Sequence, residues 1–368
     1  MTASWHASEA SVDSLRDWGW STHFEAAFAA LDAAESEPAR VVEAQRELFR
    51  VVTRAGERRA RVAGRLRQEE HGPLPAVGDW VAVRVEADAV AIHQVLDRRS
   101  TISRKLPGKA AREQVLAANV DTVFVVTSFN EDFSPRRVER YLTMIWEAGA
   151  RPVVLLNKAD LTADPETMLA QAEAVALGVP VHAVCAERDA GLAALEPYLR
   201  PGATIVLLGS SGVGKSTIVN RLMGREVQTV QGIRDRDAKG RHTTHSRQLF
   251  RLPSGALTLD TPGLREVALW ITETGLGQAF GDVEEIAEAC RFHDCAHTSE
   301  PGCAVKAAVD EGRLARDRLE SYHKLCRELE YLERKTDPAA ASNEKRRWRS
   351  IQKNMRSARK KGWTRGES

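Results

Sequence analysis

Residues 204–217 read TIVLLGSSGVGKST, and the fold is set by how this stretch is read. Ile205–Leu208 is a short, wholly aliphatic run of the kind that forms a strand buried on both faces. A glycine-rich loop follows, and a helical pattern (Ile218, Val219, Leu222, Met223) begins near Lys215. The loop spacing is G-x-x-x-x-G-K-S, with Gly209, Gly214, Lys215 and Ser216 in the fixed places. Glycines let successive backbone N–H groups of Gly209, Ser210, Ser211, Gly212, Val213 and Gly214 turn toward phosphate oxygens, and the helix start at Lys215–Thr217 adds its partial positive charge. Lys215 is placed to reach the β- and γ-phosphates of a nucleotide, and the Ser216 hydroxyl to meet Mg²⁺.

Upstream, strands and helices alternate. Val120–Thr127 is a near-continuous apolar run, and Pro135–Ala150 carries a helical stripe (Val138, Tyr141, Leu142, Ile145, Trp146). Pro152–Leu156 is the next strand, followed by a helix over 164–176, a strand over 180–184 and a helix over 191–199. The pattern predicts an α/β fold with a doubly wound parallel sheet and ligands at the strand C-terminal ends. One such end carries Asn157-Lys158-Ala159-Asp160. A carboxylate at Asp160 accepts the N1–H and amino donor pair of guanine; adenine lacks that pair and would leave the charge unpaired. Asn157 can serve the O6/N7 edge, the Lys158 stem can cover the base plane, and the Cys185-Ala186 backbone after the next strand suits O6. An ATP-using enzyme is disfavoured on the same ground.

Downstream, Leu257–Leu259 is a further strand, ending in Asp260-Thr261-Pro262-Gly263. There Asp260 would hold Mg²⁺ through water, and the Gly263 N–H would sense the γ-phosphate. Between the two phosphate motifs lies Gly240-Arg241-His242-Thr243-Thr244 in a polar loop. Thr244, with Thr243 as the alternative, would complete the Mg²⁺ shell when the γ-phosphate is present. The place where many GTPases carry a water-orienting Gln holds Leu264, so His242 is the candidate to position the attacking water. The base motifs thus precede the phosphate motifs, the reverse of most GTPases, an order that resembles a circularly permuted P-loop GTPase domain.

The ends differ from this middle. Residues 1–39 carry net charge −6, residues 40–112 +7, residues 113–340 −7 and residues 341–368 +8, although the whole chain sums to +2. The stretch 12–33 reads as an amphipathic helical extension whose aromatics dock on a neighbouring domain, and 35–39 as a polar break. From Arg40 the pattern becomes short alternating strands at 48–56, 58–67, 79–87 and 90–98, which predicts a small N-terminal OB-type β-barrel with Arg59, Arg61, Arg65 and Arg67 largely on one face. Near the other end, Cys290-x4-Cys295-x-His297-x5-Cys303 offers three thiolates and one imidazole, a closed tetrahedral set for one structural Zn²⁺, with His293 able to compete for the imidazole place. Helices over 304–334 complete a C-terminal zinc-binding helical domain, and the tail from 341 places Trp348 and Trp363 among ten Lys/Arg. The boundaries read are 1–39 for the extension, 40–112 for the barrel, 113–275 for the GTPase domain, 276–340 for the zinc and helical domain and 341–368 for the tail. Five unevenly spaced cysteines, no secretory leader and no apolar run of membrane length point to a reducing cytoplasm.

From about residue 40 to 335 the chain resembles the ribosome small-subunit-dependent GTPase family. The likeness rests on P-x-V-G-D-W-V (75–81), RRSTISRK (98–105), N-K-A-D, G-S-S-G-V-G-K-S-T, G-R-H-T-T, D-T-P-G-L-R-E (260–266) and the cysteine cluster. The resemblance implies a GTPase that acts in late maturation of the small ribosomal subunit. It implies stimulation by that subunit, contacts to ribosomal RNA through the barrel and zinc domains, and a place beside other assembly factors. The motifs themselves call for Mg²⁺ with GTP, the compartment expected is the cytoplasm, and with nothing in the sequence suggesting an oligomer a monomer is expected. The family pattern also carries a His at 242 and selects His297 in the cluster. The alternative is an RNA-binding assembly scaffold in which guanine nucleotide is mainly structural.

Overall fold

The computed structural model describes residues 15–31, 35–45, 48–64, 66, 74–86, 89–105, 113–130, 133–224, 247–260 and 273–336. The chain divides into two compact units, one of Met1–Arg104 with Gln114–Trp270, the other of Lys105–Glu113 with Ile271–Ser368.

Alternation of small or branched apolar residues with charged ones builds the first part of unit one. Strands β1 (Glu37–Gln45), β2 (Leu48–Thr53), β3 (Gly56–Val62), β4 (Trp80–Glu86) and β5 (Ala89–Val95) pair in the order β1-β2-β3-β5-β4, and a β1–β4 pairing closes the barrel. All the pairings are antiparallel except β3 with β5, which is parallel. Val41, Val51, Ala60, Val81, Val83 and Ile92 fill the interior. On β3, Ala60 points in while Arg59 and Arg61 stand exposed; Arg65 and Arg67 lie outside the described side chains.

Strands β6 (Thr101–Lys105) and β7 (Glu113–Ala118) pair with each other in a separate two-stranded sheet. The second part is a sheet of order β10-β9-β8-β11-β13-β12, built from β8 (Thr122–Ser128), β9 (Arg151–Asn157), β10 (Val181–Ala183), β11 (Thr204–Leu208), β12 (Arg247–Arg251) and β13 (Leu257–Asp260). The pairings are parallel except that of β12 with β13. Every residue of β8 and β11 is buried, as their unbroken apolar runs require of central strands. Helices α2 (Pro135–Glu147), α3 (Pro165–Val175) and α4 (Lys215–Met223) cross over between strands, α2 and α3 starting with Pro at the first turn. The helix expected over 191–199 forms as 3-10 turns over Leu192–Tyr198, where Pro197 breaks α-helical pairing.

Two joints tie barrel and sheet together. The first is β12, absent from the sequence reading, which pairs antiparallel with β1 (Glu43 opposite Gln248, Ala44 opposite Arg247) and makes one eleven-stranded sheet of the two parts. The second is the V-G-D-W loop. Gly78 adopts φ +94, and an added Cβ there would collide with Ala118 O. Its carbonyl accepts from Asn119 Nδ2 at 3.1 Å, and Ala118 N–H donates to Val77 O at 3.0 Å. Asp79, fully buried, takes a bidentate pair from Arg98 at 2.8 and 2.7 Å and the Ala76 N–H at 2.7 Å. Burial pushes its carboxyl up, and Arg98 pulls the other way. The N-terminal segment docks here too. Helix α1 (Thr22–Ala29) brings Phe24 to 5.7 Å from the Trp80 ring, and Trp20 lies 4.7 Å from it.

Unit two is helical in its described part: α5 (Glu273–Ala279), α6 (Gly281–Ala287), α7 (Ala304–Asp310) and α8 (Arg316–Thr336). Arg318, only 5% exposed, locks α8 to the α5–α6 turn through a bidentate pair with Asp282, the Ala279 carbonyl and the face of Phe280. Among the described residues no helix is long and apolar enough to cross a membrane.

Candidate functional site

The parallel sheet delivers two loops side by side because β8 lies between β9 and β11. The first leaves β11 as the glycine loop. Gly214 sits at φ +98 as the residue before α4, and an added Cβ would strike Asn157 Nδ2, so only glycine lets the two loops touch. The Lys215 ammonium curls back onto the loop, donating to Gly209 O at 2.7 Å and Ser210 O at 2.5 Å. That is the position from which a lysine exchanges carbonyl partners for phosphate oxygens.

The second loop leaves β9. Lys158 takes the left-handed conformation (φ 63), which turns the chain sharply into the 3-10 turn Ala159–Leu161. Asn157 is 2% exposed, and its amide spans two loops: Nδ2 donates to Val213 O at 2.9 Å, and Oδ1 accepts from Ala186 N–H at 3.1 Å. The base loop, the phosphate loop and the loop after β10 are therefore clasped by one side chain. Asp160 Oδ1 accepts from the Cys185 thiol at 3.0 Å, and Oδ2 lies 3.5 Å from Arg188. The thiol hydrogen bond, chiefly, holds the Asp160 carboxyl below the usual carboxylate range. Asn157, Lys158, Asp160, Cys185, Ala186, Gly214 and Thr217 line a pocket of about 160 Å³. Residues from three separated segments thus meet around one cavity with a carboxylate acceptor at its wall.

Sequence reasoning overlooked two residues that build this site. Arg221 on α4 donates to Ala186 O at 3.1 Å and Glu187 O at 2.8 Å, and so fixes the loop after β10. Arg137 on α2 donates to Ser210 Oγ at 2.7 Å. Arg137 is half-buried and Arg221 exposed, and nothing in the sequence says which loop either reaches. His242, Thr243, Thr244 and Gly263 lie outside the described residues, as does the tail over 341–368; Asp260 closes β13, and its side chain is likewise not described.

In unit two, Cys290, Cys295, His297 and Cys303 bring their ligand atoms within 4.8 Å of one another. His297 Nδ1 is 3.5 Å from Cys303 Sγ and 3.7 Å from Cys290 Sγ, and those two sulfurs are 4.0 Å apart. Around a tetrahedral zinc with ~2.3 Å bonds, thiolates stand about 3.8 Å apart, so the donor set has the right chemistry and the right size. Burial pushes the His297 imidazole down, which favours the neutral, ligating form. Ala304 N–H reaches Cys290 Sγ at 3.3 Å and Lys306 N–H reaches Cys303 Sγ at 3.4 Å, backbone donors suited to thiolate charge.

A P-loop and a guanine-type base loop, in permuted order on a doubly wound sheet beside a closed five-stranded barrel, define a circularly permuted GTPase. The RsgA GTPase family model matches residues 95–270. The small ribosomal subunit biogenesis GTPase RsgA of Opitutus terrae is 45% identical over 355 residues, covering 93% of this chain and 97% of that one. The protein of the same name from Streptomyces avermitilis is 45% identical over 340 residues, 91% of each chain. Among solved structures, YjeQ from Thermotoga maritima superposes with a TM-score of 0.60 at 26% identity, over 80% of this chain and 98% of that one. The chain belongs to the RsgA GTPase family and is a GTP-hydrolysing enzyme.

Proposed function

We propose that this GTPase binds the small ribosomal subunit and its rRNA, assists late subunit maturation beside other assembly factors, and hydrolyses GTP under the subunit's stimulation. The observation that carries the reading is 45% identity, over nearly the full length of both chains, to a protein named for small ribosomal subunit biogenesis. The exposed Arg59 and Arg61 of the barrel support an RNA partner. The site roles are part of the proposal. Asp160 selects guanine, the Cys185-Ala186 loop and Lys158 frame the base, and Asn157 holds the loops in register. The Gly209–Thr217 loop, with the Gly263 N–H, cradles the phosphates, and Lys215 stabilises charge on them as the γ-phosphoryl leaves. Ser216, Thr244 and Asp260 would hold Mg²⁺, which neutralises phosphate charge. His242 positions the attacking water. Cys290, Cys295, His297 and Cys303 would hold one structural Zn²⁺, which pins the ends of α6 and α7. The protein works as a cytoplasmic monomer, organised as extension (1–39), barrel (40–112), GTPase domain (113–275), zinc and helical domain (276–340) and basic tail (341–368).

GTP turnover by the purified protein, with and without purified small subunits, for wild type and His242→Ala, tests this. Strong stimulation, lost in the variant while GTP binding persists, is the expected result. Stimulation that survives in His242→Ala discards that histidine as the water-positioner. No stimulation of the wild type overturns the ribosome-triggered reading and favours the scaffold.

A further inference from the structure

A second cavity, of about 700 Å³, opens at the N-terminal ends of β8, β9 and β11, the end of the sheet opposite the nucleotide loops. It shares no lining residue with the base pocket. Five arginines line it: Arg16, Arg40, Arg99, Arg151 and Arg200. Its acidic lining residue among those described is Asp121, which is engaged by Arg99 at 3.5 Å and by the Thr204 N–H at 2.8 Å. The whole chain is nearly balanced, with 53 basic and 51 acidic residues, so this concentration of one sign is local. Half-buried Trp20, Trp146 and Tyr198 supply flat apolar walls.

One wall of this cavity is backed by a buried cation. Arg40, 2% exposed, bonds only neutral oxygens: Trp18 O, Asn119 O at 3.4 Å and Thr204 Oγ1 at 2.9 Å. Its Nε and the Ser21 Oγ of the same wall are buried with no partner. Burial pulls the Arg40 guanidinium down to about 10, against the opposing charges of Asp121 and Asp79. A cationic rim beside aromatic faces is the chemistry that holds a phosphodiester and one unstacked base. The rim arginines Arg16, Arg99, Arg151 and Arg200 are exposed, which suits a strand running past the cavity rather than a small molecule enclosed in it.

We propose that this cavity binds single-stranded RNA, with phosphates on the arginines and one base against the aromatic wall. The proposal rests on an RNA partner for this GTPase, and it adds a contact face whose lining does not include the exposed arginines of β3. The test is fluorescence anisotropy of a labelled single-stranded RNA dodecamer with the full chain across a potassium chloride series. Arg151→Glu/Arg200→Glu should weaken binding at least about tenfold and make the plot of log K against log salt shallower by about 1.4, since each phosphate contact to a single strand contributes roughly 0.7. Trp146→Ala should weaken binding about tenfold with the salt slope unchanged, because stacking is not ionic. GTP binding and intrinsic turnover should stay at wild-type values in both. Wild-type affinity and slope in the arginine variant would overturn the proposal, as would displacement of the RNA by micromolar GMP, which would mark a mononucleotide pocket. Subunit-stimulated turnover measured in the same series separates the two readings. A wild type without stimulation counts against the ribosomal role and leaves the cavity result standing. Intact stimulation with no RNA effect counts against the cavity alone.

Discussion

Replacing Asn157 by alanine tests the clasp between the base and phosphate loops. The side chain is buried, and it satisfies two backbone groups that are buried with it, the Val213 carbonyl and the Ala186 N–H. A buried polar group left without a partner costs about 1–3 kcal/mol. In the nucleotide-free variant the loops can part and hydrate both groups, so binding must close them again unpaired. Two such groups at the low end give about 2 kcal/mol, or roughly thirtyfold in affinity; the middle of the range gives about 4 kcal/mol, near a thousandfold. Water entering the vacated space offsets part of this, so the expectation is thirty- to several-hundredfold weaker binding. The loss should be equal for GDP and GTP, because the clasp lies at the base end and does not touch the γ-phosphate. Equilibrium titration with fluorescent analogues of both nucleotides reads it, with thermal melting to show that the sheet remains folded. Affinity within threefold of wild type for both nucleotides would refute the reasoning, as would a loss confined to GTP.

Asp160→Asn should lower GTP affinity at least about tenfold and raise affinity for xanthosine triphosphate, whose base offers a carbonyl where guanine offers an amino group; competition titration reads both. Because the Cys185 thiol holds the Asp160 carboxyl down, its charged form persists at lower pH than a free carboxylate, so GTP affinity should be flat from pH 8 to pH 5 and fall only below the ordinary carboxylate range. Gly78→Ala forces a Cβ into the Ala118 carbonyl at a left-handed position and should cost about 2–4 kcal/mol, read by denaturant unfolding; an unchanged midpoint would show that the V-G-D-W loop is not a rigid joint. Chelation of zinc should release one metal equivalent and reduce helical circular dichroism, and Cys303→Ser should mimic it; full helicity in a metal-free sample would assign the cluster another role.

The segments proposed for phosphate and base recognition stand out in the sequence because such recognition demands particular residues at short range. Asn157 to Asp160 and Gly209 to Ser216 are each contiguous, and the strands before them are uniformly apolar. The cysteine cluster was legible for the same reason, its four ligands falling within one short stretch. What stayed hidden depends on partners far along the chain. Glu37-Pro38 reads as a polar break, yet both residues belong to β1, where Pro38 pairs opposite Ala82 of β4. Strand β12 has too few residues for its pattern to stand out, and it exists because β1 and β13 flank it. Asp79 and Arg98 each sit in a segment quoted for the family likeness, but their ion pair emerges only when the barrel closes. Arg137, Arg221 and the bridging use of the Asn157 amide are likewise matters of three-dimensional reach.

The pairing of β1 with β12 has a consequence for synthesis on the ribosome. The barrel strands end at Val95, yet the stretch of β1 around Glu43 and Ala44 waits for a partner from residues 247–248. At ordinary elongation rates those roughly 150 intervening residues take on the order of ten to thirty seconds. For that interval the nascent barrel carries an open edge, the kind of surface that recruits stray strands. The exposed stretch is short, and Glu43 is held by Arg50 at 2.9 Å, placing a charge pair where a neighbouring nascent chain would otherwise add a strand. The same ion pair that borders the finished joint thus guards it while the rest of the chain is still being made.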